Sequence, residues 1–181
     1  MPRGIDCKLY RNSAALGAGY ATPTFNEVAS IKDLEYTLTT EAFETTTRLE
    51  GGIKTYEQTV ADLEISFMLR LPEPAATTGD PNYDDYIAIR TAFNTNLVID
   101  AMMLTGTTAT NGAEGFRGFF KVSDFSESQG HGDSLFKKVV LKPSCVDATT
   151  LASTAAAQAM RRVKIAAGAP TYANWGSDTF A

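Results

Sequence analysis

The sequence predicts a mainly β fold carrying one helix and one long hairpin, and three observations lead there. Polar and apolar side chains alternate with a period of two over residues 31–40 and again over 63–70, the pattern of strands with one buried face. Threonine occurs 23 times in 181 residues, and with Val, Ile, Phe and Tyr it favours extended backbone, because side chains crowded at Cβ lose freedom in a helix. Helical spacing stands out over one segment, residues 83–94.

Taken in order, residues 5–11 read as a first strand, with Ile5, Cys7 and Leu9 on one face and Asp6, Lys8 and Tyr10 on the other. A loop of small residues, 12–24, follows, and 25–30 leads into a flange. The flange begins with a long strand over 31–48, in which Ile31, Asp33, Glu35, Thr37 and Thr39 alternate with Lys32, Leu34, Tyr36, Leu38 and Thr40. After Gly51-Gly52 and a polar stretch, a returning strand places Leu63, Ile65, Phe67 and Leu69 on one face. Two long strands joined by a long polar loop project beyond a compact domain and suit contact with another subunit.

Residues 72–81 are a loop rich in Pro, Ala and Thr. Asn82 is placed to cap the helix, Asp84 and Asp85 occupy a first turn where the dipole favours negative charge, and Tyr86, Ile89 and Phe93 recur at helical spacing. The helix should therefore lie across a sheet. Strands over 97–104 and 116–125 flank a loop at 105–112; Phe116, Phe120 and Val122 share a face, and Gly118 marks a bend or a close approach. Residues 127–133 read as a loop and 134–142 as a strand ended by Pro143. The Ala-rich stretch 151–160 is compatible with a short helix, 161–165 alternates like a strand, and 170–181 reads as a tail. Trp175 in that tail either folds back on its own domain or docks on a neighbour.

A length of 181 residues fits one domain, and 44% hydrophobic with 20% charged residues is ordinary for a soluble globular chain. The net charge of −5 argues against a protein that grips phosphate backbones, which needs a basic surface to displace counterions. It suits a conduit through which nucleic acid slides without adhering. Cys7 and Cys145 lack metal-ligand spacing; they are either two buried thiols or one disulfide joining the terminal segments. The start has no apolar run of signal-peptide length, and no segment approaches the roughly 18 apolar residues of a membrane span, so synthesis and folding in the cytoplasm are expected.

Chemical motifs are weak throughout. The single His131 lies between Gly130 and Gly132, a poor holder for a general base, and nothing around Ser134 activates a nucleophile. Gly17-Ala18-Gly19 lacks the third glycine and the strand-to-helix setting of a dinucleotide fingerprint. Asp80, Asn82 and Asp84 have the first spacing of a calcium loop, but Asp85 replaces its glycine and Thr91 its closing glutamate, so helix capping explains them better. Lys137-Lys138 and Arg161-Arg162 read as solvated strand edges or inter-subunit ion pairs. Neither an enzyme nor a cofactor or metal site is expected.

The order of the pieces resembles the tail tube, or major tail, proteins of long-tailed phages. The likeness is carried by Gly4-Ile5-Asp6-Cys7-Lys8-Leu9-Tyr10-Arg11-Asn12, Ile31-Lys32-Asp33-Leu34, Leu63-Glu64-Ile65-Ser66-Phe67, Ile89-Arg90-Thr91-Ala92-Phe93, Phe116-Arg117-Gly118-Phe119-Phe120-Lys121-Val122-Ser123-Asp124-Phe125 and Val139-Val140-Leu141-Lys142-Pro143-Ser144. It spans roughly residues 1–144 and leaves the Ala-rich end uncovered.

The resemblance implies a β-sandwich or partial barrel with a flanking α-helix and a long extended hairpin loop. Six copies would form a ring whose inner strands close into one barrel, and rings would stack into a virion tail tube passed by DNA and by a tape-measure protein, with terminator and tip proteins at its ends. Contractile tails, gene-transfer particles and injection devices share the tube fold. The loop that reaches the next ring matches residues 45–59, which makes Arg48, Glu50, Ile53, Lys54 and Tyr56 candidates for ring-to-ring contact. Asp33, Glu35, Glu41 and Glu44 become candidates for the lumen, and six chains would bring about −30 to each ring. The rival is a monomeric β-sandwich module binding carbohydrate or protein, with Tyr20, Tyr36 or Trp175 as a stacking platform.

Overall fold

Alternating sequence becomes one antiparallel nine-stranded sheet in the computed structural model, which describes residues 7–14, 23–44, 56–73, 75–128, 136–144 and 160–174. The strands are β1 (Lys8–Asn12), β2 (Phe25–Glu27), β3 (Ile31–Glu44), β4 (Tyr56–Arg70), β5 (Val98–Leu104), β6 (Glu114–Ser128), β7 (Phe136–Pro143), β8 (Met160–Ala166) and β9 (Ala169–Asn174), with helix α1 (Pro81–Thr95) between β4 and β5. The main path runs β2-β1-β5-β6-β7-β4-β3, and the hairpin β8–β9 joins it through β8 on β6.

Strand β6 carries the architecture. Its first half pairs with β5 on one side and β8 on the other, through Gly115↔Leu104 and Gly115↔Val163. Its second half pairs with β7, and a bulge between Val122 and Asp124 bends it there. The last rung with β5 is Lys121↔Val98, so among the described residues the stretch 122–128 has no strand on that side. At Gly115 the chains come so close that a Cβ would lie 1.8 Å from the Met103 carbonyl oxygen, and only glycine fits.

The sheet curls. Tyr36 on the edge strand β3 reaches back to Phe116 on β6, ring centroids 5.6 Å apart and edge to face, although β4 and β7 lie between those strands in the path. The curl encloses an inner core in which Leu63, Ile65, Phe67 and Leu69 of β4 meet Val139 and Leu141 of β7, Phe116, Phe120 and Val122 of β6, Leu9 of β1 and Met103 of β5. Helix α1 packs onto this core through Ile89 and Ala92. A second core, of Tyr10, Met102, Leu104, Ala113, Val163 and Ile165, lies on the other face of β1, β5 and β8. Strand β1 is therefore covered on both faces, with Leu9 and Tyr10 both buried.

That second face holds a buried polar cluster. Arg117 donates from Nε and a terminal nitrogen to the two oxygens of Asp100, at 2.9 and 2.6 Å, with their side chains 4% and 1% exposed. Asn12 donates to the same carboxylate at 2.8 Å, and its own carbonyl oxygen accepts from the backbone N–H groups of Ala14 and Thr24. The rings of Phe25 and Tyr172 lie 4.9 and 5.4 Å from the guanidinium carbon.

The sequence expectations need several corrections. The returning flange strand begins at Tyr56 rather than near Leu63, because polar Glu57 and Gln58 take their places on the ladder opposite Phe43 and Ala42. The helix is capped by Asp80, which accepts from the Asn82 N–H at 2.9 Å, with Pro81 in the first turn; Asn82 is not the cap. Residues 170–174, expected as tail, form β9, returned by a two-residue turn in which Ala167 and Gly168 have φ of 51° and 78°. The alternation that would put Asp33 beside Glu35 breaks at a bulge between Lys32 and Glu35, where Asp33 takes a positive φ of 53°. His131, Ser134, residues 17–19, Tyr20, Cys145, the Ala-rich 151–159 and Trp175 lie outside the described residues, and Cys7 is a half-buried free thiol.

Phe67 is 1% exposed at the centre of the inner core. Phe67→Ala should lower stability by about 3 to 5 kcal/mol, from lost transfer energy and the cavity left behind. Chemical denaturation measures it, and an unchanged midpoint would show that this face is not the core.

Candidate functional site

The surface best placed to act is the sheet formed by β3, β4, β7 and the second half of β6, which is open at both edges among the described residues. Its inner face is the apolar core, and alternation sends every other side chain outward. Three rows cross that outer face. Glu35, Ser66, Val140 and Asp124 stand in one. Lys32, Met68, Lys138 and Ser126 stand in the next. In the third, Thr37 and Glu64 meet Lys142, 3.4 Å from the Glu64 carboxylate, and Lys121. Asp62 continues the face opposite Thr39.

The face is polar and mixed in sign. Glu35, Asp62, Glu64 and Asp124 share it with Lys32, Lys121, Lys138, Lys142 and Arg70. Of the four lumen candidates, Glu35 stands on this face, Asp33 sits in the bulge, and Glu41 and Glu44 continue β3 at the rungs with Val60 and Tyr56. Sequence reasoning passed over Asp62 and Glu64, although the alternation of β4 exposes them, and over Asp124, which strict alternation would place with Phe120 and Val122 and which the β6 bulge turns to the outer face. It treated one strand of the face and not its partners.

Of the ring-contact candidates, Tyr56 belongs to the β3–β4 ladder, paired with Glu44, and is not a loop residue. Arg48, Glu50, Ile53 and Lys54 lie outside the described residues. Lys137 points to the other face, its ammonium 6.0 Å from the Phe125 ring centroid. Tyr36, proposed as a sugar platform, meets Phe116 edge to face and leaves about half of its surface exposed.

A groove of about 280 Å³ lies between α1 and the β1–β5 pair, lined by Arg11, Asn12, Thr91, Leu97, Ile99 and Asp100 among others. Beside it Arg11 donates twice to one Asp85 oxygen, at 2.9 and 2.7 Å, tying β1 to the helix. Burial pushes the Asp85 carboxyl above the ordinary carboxylate range, against the smaller opposing pull of Arg11. The charged groups here are engaged with one another, and no serine, cysteine or histidine stands among the groove's lining residues. Among the described residues no three His, Cys, Asp or Glu side chains group to hold a metal ion, and no helix is long and apolar enough to cross a membrane.

Solved structures supply the comparison. The tail of an empty gene transfer agent particle, refined with C6 symmetry, aligns over 81% of this chain and 96% of its own at 13% identity, with a TM-score of 0.57. The chain has the fold of a tail tube subunit. The tail tube of SPP1 matches over 78% of this chain and 75% of its own, at 12% identity and a TM-score of 0.56. The virion of a native gene transfer agent gives 0.55 at 12% identity, over 81% and 96%. No family model matches the chain, and no curated protein matches it in sequence. The tail-tube-like, mainly β architecture is thus carried by three-dimensional arrangement at identities where sequence comparison has no purchase.

The raised Asp85 carboxyl fixes the sign of a pH effect. Between the ordinary carboxylate range and the raised value the folded chain holds a proton that the unfolded chain releases, so this group's contribution to stability falls as pH rises through that window. The urea midpoint of the wild type minus that of Asp85→Asn should decrease as pH rises through the window. A difference that grows instead would mean that Arg11, not burial, governs the group.

Proposed function

We propose that this chain is a structural subunit of a virion tail tube, forming hexameric rings that stack into a channel for DNA. One observation carries the reading: a four-stranded antiparallel sheet, open at both edges among the described residues, belongs to a fold shared with tubes of sixfold symmetry. An unpaired long edge is an aggregation hazard unless another chain covers it. Because β3, β4, β7 and β6 alternate in direction, an even number of strands makes each seam between copies antiparallel as well. The open stretch 122–128 of β6 is the natural partner for the β3 edge of the next copy.

In such a ring the core of each subunit lies outside the barrel wall and the polar outer face lines the channel. Acids alternating with lysines give DNA no continuous basic track, so it passes without specific binding. Residues 45–55, at the tip of the β3–β4 hairpin, reach the adjacent ring, with Arg48, Glu50, Ile53 and Lys54 as contacts. A tape-measure protein occupies the lumen during assembly, terminator and tip proteins cap the ends, and the chain, made in the host cytoplasm, resides in the tail. Its role is mechanical rather than enzymatic.

Negative-stain electron microscopy of the concentrated protein tests the class: rings with a central hole, single or stacked, are expected, and a strictly monomeric particle would favour the binding-module rival. Shortening the hairpin tip should separate stacking from folding. Since Tyr56 and Glu57 belong to β4, the replacement is confined to residues 48–54, exchanged for two glycines. That variant should keep the wild-type melting temperature and form rings that do not stack; tubes of normal length would remove the tip from the ring contact.

Charge reversal tests the lumen. Glu35→Lys with Asp124→Lys turns one row of the outer face positive without touching the core. Tubes of this variant should retain DNA at low salt and release it as salt rises. Retention no greater than that of wild-type tubes would place another surface in the channel.

A further inference from the structure

Four large apolar side chains stand exposed among the described residues: Tyr36 at 53%, Leu38 at 45%, Phe93 at 41% and Leu97 at 55%. They fall into two pairs at opposite edges of the four-stranded sheet. Tyr36 and Leu38 lie on β3, at its free edge, and their rungs opposite Ile65 and Leu63 put them on the inner face. Phe93 and Leu97 lie at the end of α1, over the other edge. The Phe93 ring is 5.8 Å from Phe125, an inner-face residue of β6 opposite Val139. Leu97 immediately precedes Val98, whose rung with Lys121 is the last before the open stretch of β6 begins. The end of the helix therefore overhangs that open edge on its inner side.

We infer that these two pairs are the halves of a single contact between adjacent copies of this chain, Tyr36 and Leu38 of one subunit packing beneath Phe93 and Leu97 of the next. This rests on the ring reading above and adds to it the side-chain lock that the edge pairing alone does not provide. Three features argue for it. A cyclic ring uses a heterologous interface, which needs two different patches on each subunit, and the chain presents two. Face parity agrees: a β3 strand laid on the open edge of β6 with the two sheets continuous turns Tyr36 and Leu38 towards the helix and away from the polar outer face. The chemistry also agrees, since each side presents an aromatic ring beside a leucine, and aromatic side chains are enriched in the buried centre of interfaces.

Photo-crosslinking on assembled particles tests the contact without requiring the strand register. Phe93→p-benzoylphenylalanine is assembled with isotope-labelled wild-type protein, illuminated and analysed by mass spectrometry, so that a mixed-isotope adduct is an intermolecular one. The expected adduct joins position 93 to the peptide containing Tyr36 and Leu38 of another copy. As the control for the ring reading, Asp124→p-benzoylphenylalanine on the open edge should capture a peptide from residues 31–44 of a neighbouring copy. Capture from position 124 with none of Tyr36 or Leu38 from position 93 would overturn the lock and leave the ring standing. Failure of both positions to capture residues 31–44 would overturn both. In parallel, Leu38→Asp and Phe93→Asp should each raise the protein concentration needed for assembly by at least about tenfold while the purified subunit stays folded, since both residues are exposed in the single chain. An unchanged assembly threshold in both variants would overturn the lock.

Discussion

The bidentate pair of Asp100 and Arg117 is the contact on which the body of the fold depends. The two residues are diagonal neighbours on β5 and β6, with Asn12 of β1 as third member and the rings of Phe25 on β2 and Tyr172 on β9 against the guanidinium. Five strands thus meet at one charge pair sealed from water. Removing either partner would strand the other's charge in the interior at a cost of about 3 to 5 kcal/mol, a large part of the margin of a typical domain. Arg11 and Asp85 act from the inner face to fix the helix against the same β1 strand. With β1 held from both sides, the inner core settles the curl of the remaining strands, and the curl in turn determines which edges stay open.

Much of this was legible in the sequence where burial is one-sided. Strand β4 declared itself from Leu63 onward because its apolar residues fall on alternate positions, and Phe116, Phe120 and Val122 announced the inner face of β6 in the same way. The signal vanished where both faces are polar or both are buried. The first part of β4, polar around Glu57 and Gln58, looked like loop because its pairing lies in backbone hydrogen bonds that no side-chain pattern reports. β9 was hidden for a different reason: its turn puts an alanine in the left-handed region, a place where sequence leads one to expect asparagine or glycine. The bulge at Asp33 carries no sequence mark either, and it moves one of the proposed lumen acids out of register.

The candidate surface was legible only as an edge and a charge count. The net charge of −5 suggested an acidic channel, but charge on a strand belongs to whichever face its register assigns, and four lysines share the outer face with four acids. Acidity of the whole chain and a face of mixed sign are compatible, because other acids serve local purposes. Asp80 and Asp84 illustrate this: one caps α1 and the other accepts the Gly79 N–H, so neither contributes to the sheet surface. The exposed apolar pairs were invisible for a related reason. Leu38 and Phe93 look like core residues on hydropathy alone, and only the end of a sheet or of a helix leaves them uncovered.

The strand order also dictates a timetable for the newborn chain. β4 finds its second neighbour in β7, and β1 finds β5, so each early strand waits for one made much later. On the ribosome the β3–β4 hairpin emerges with Leu63, Ile65, Phe67 and Leu69 still bare, and it cannot be sealed until residues 136–143 have left the exit tunnel. Non-local pairing of this kind makes folding slow. The last strands to be made thus complete the packing of the first.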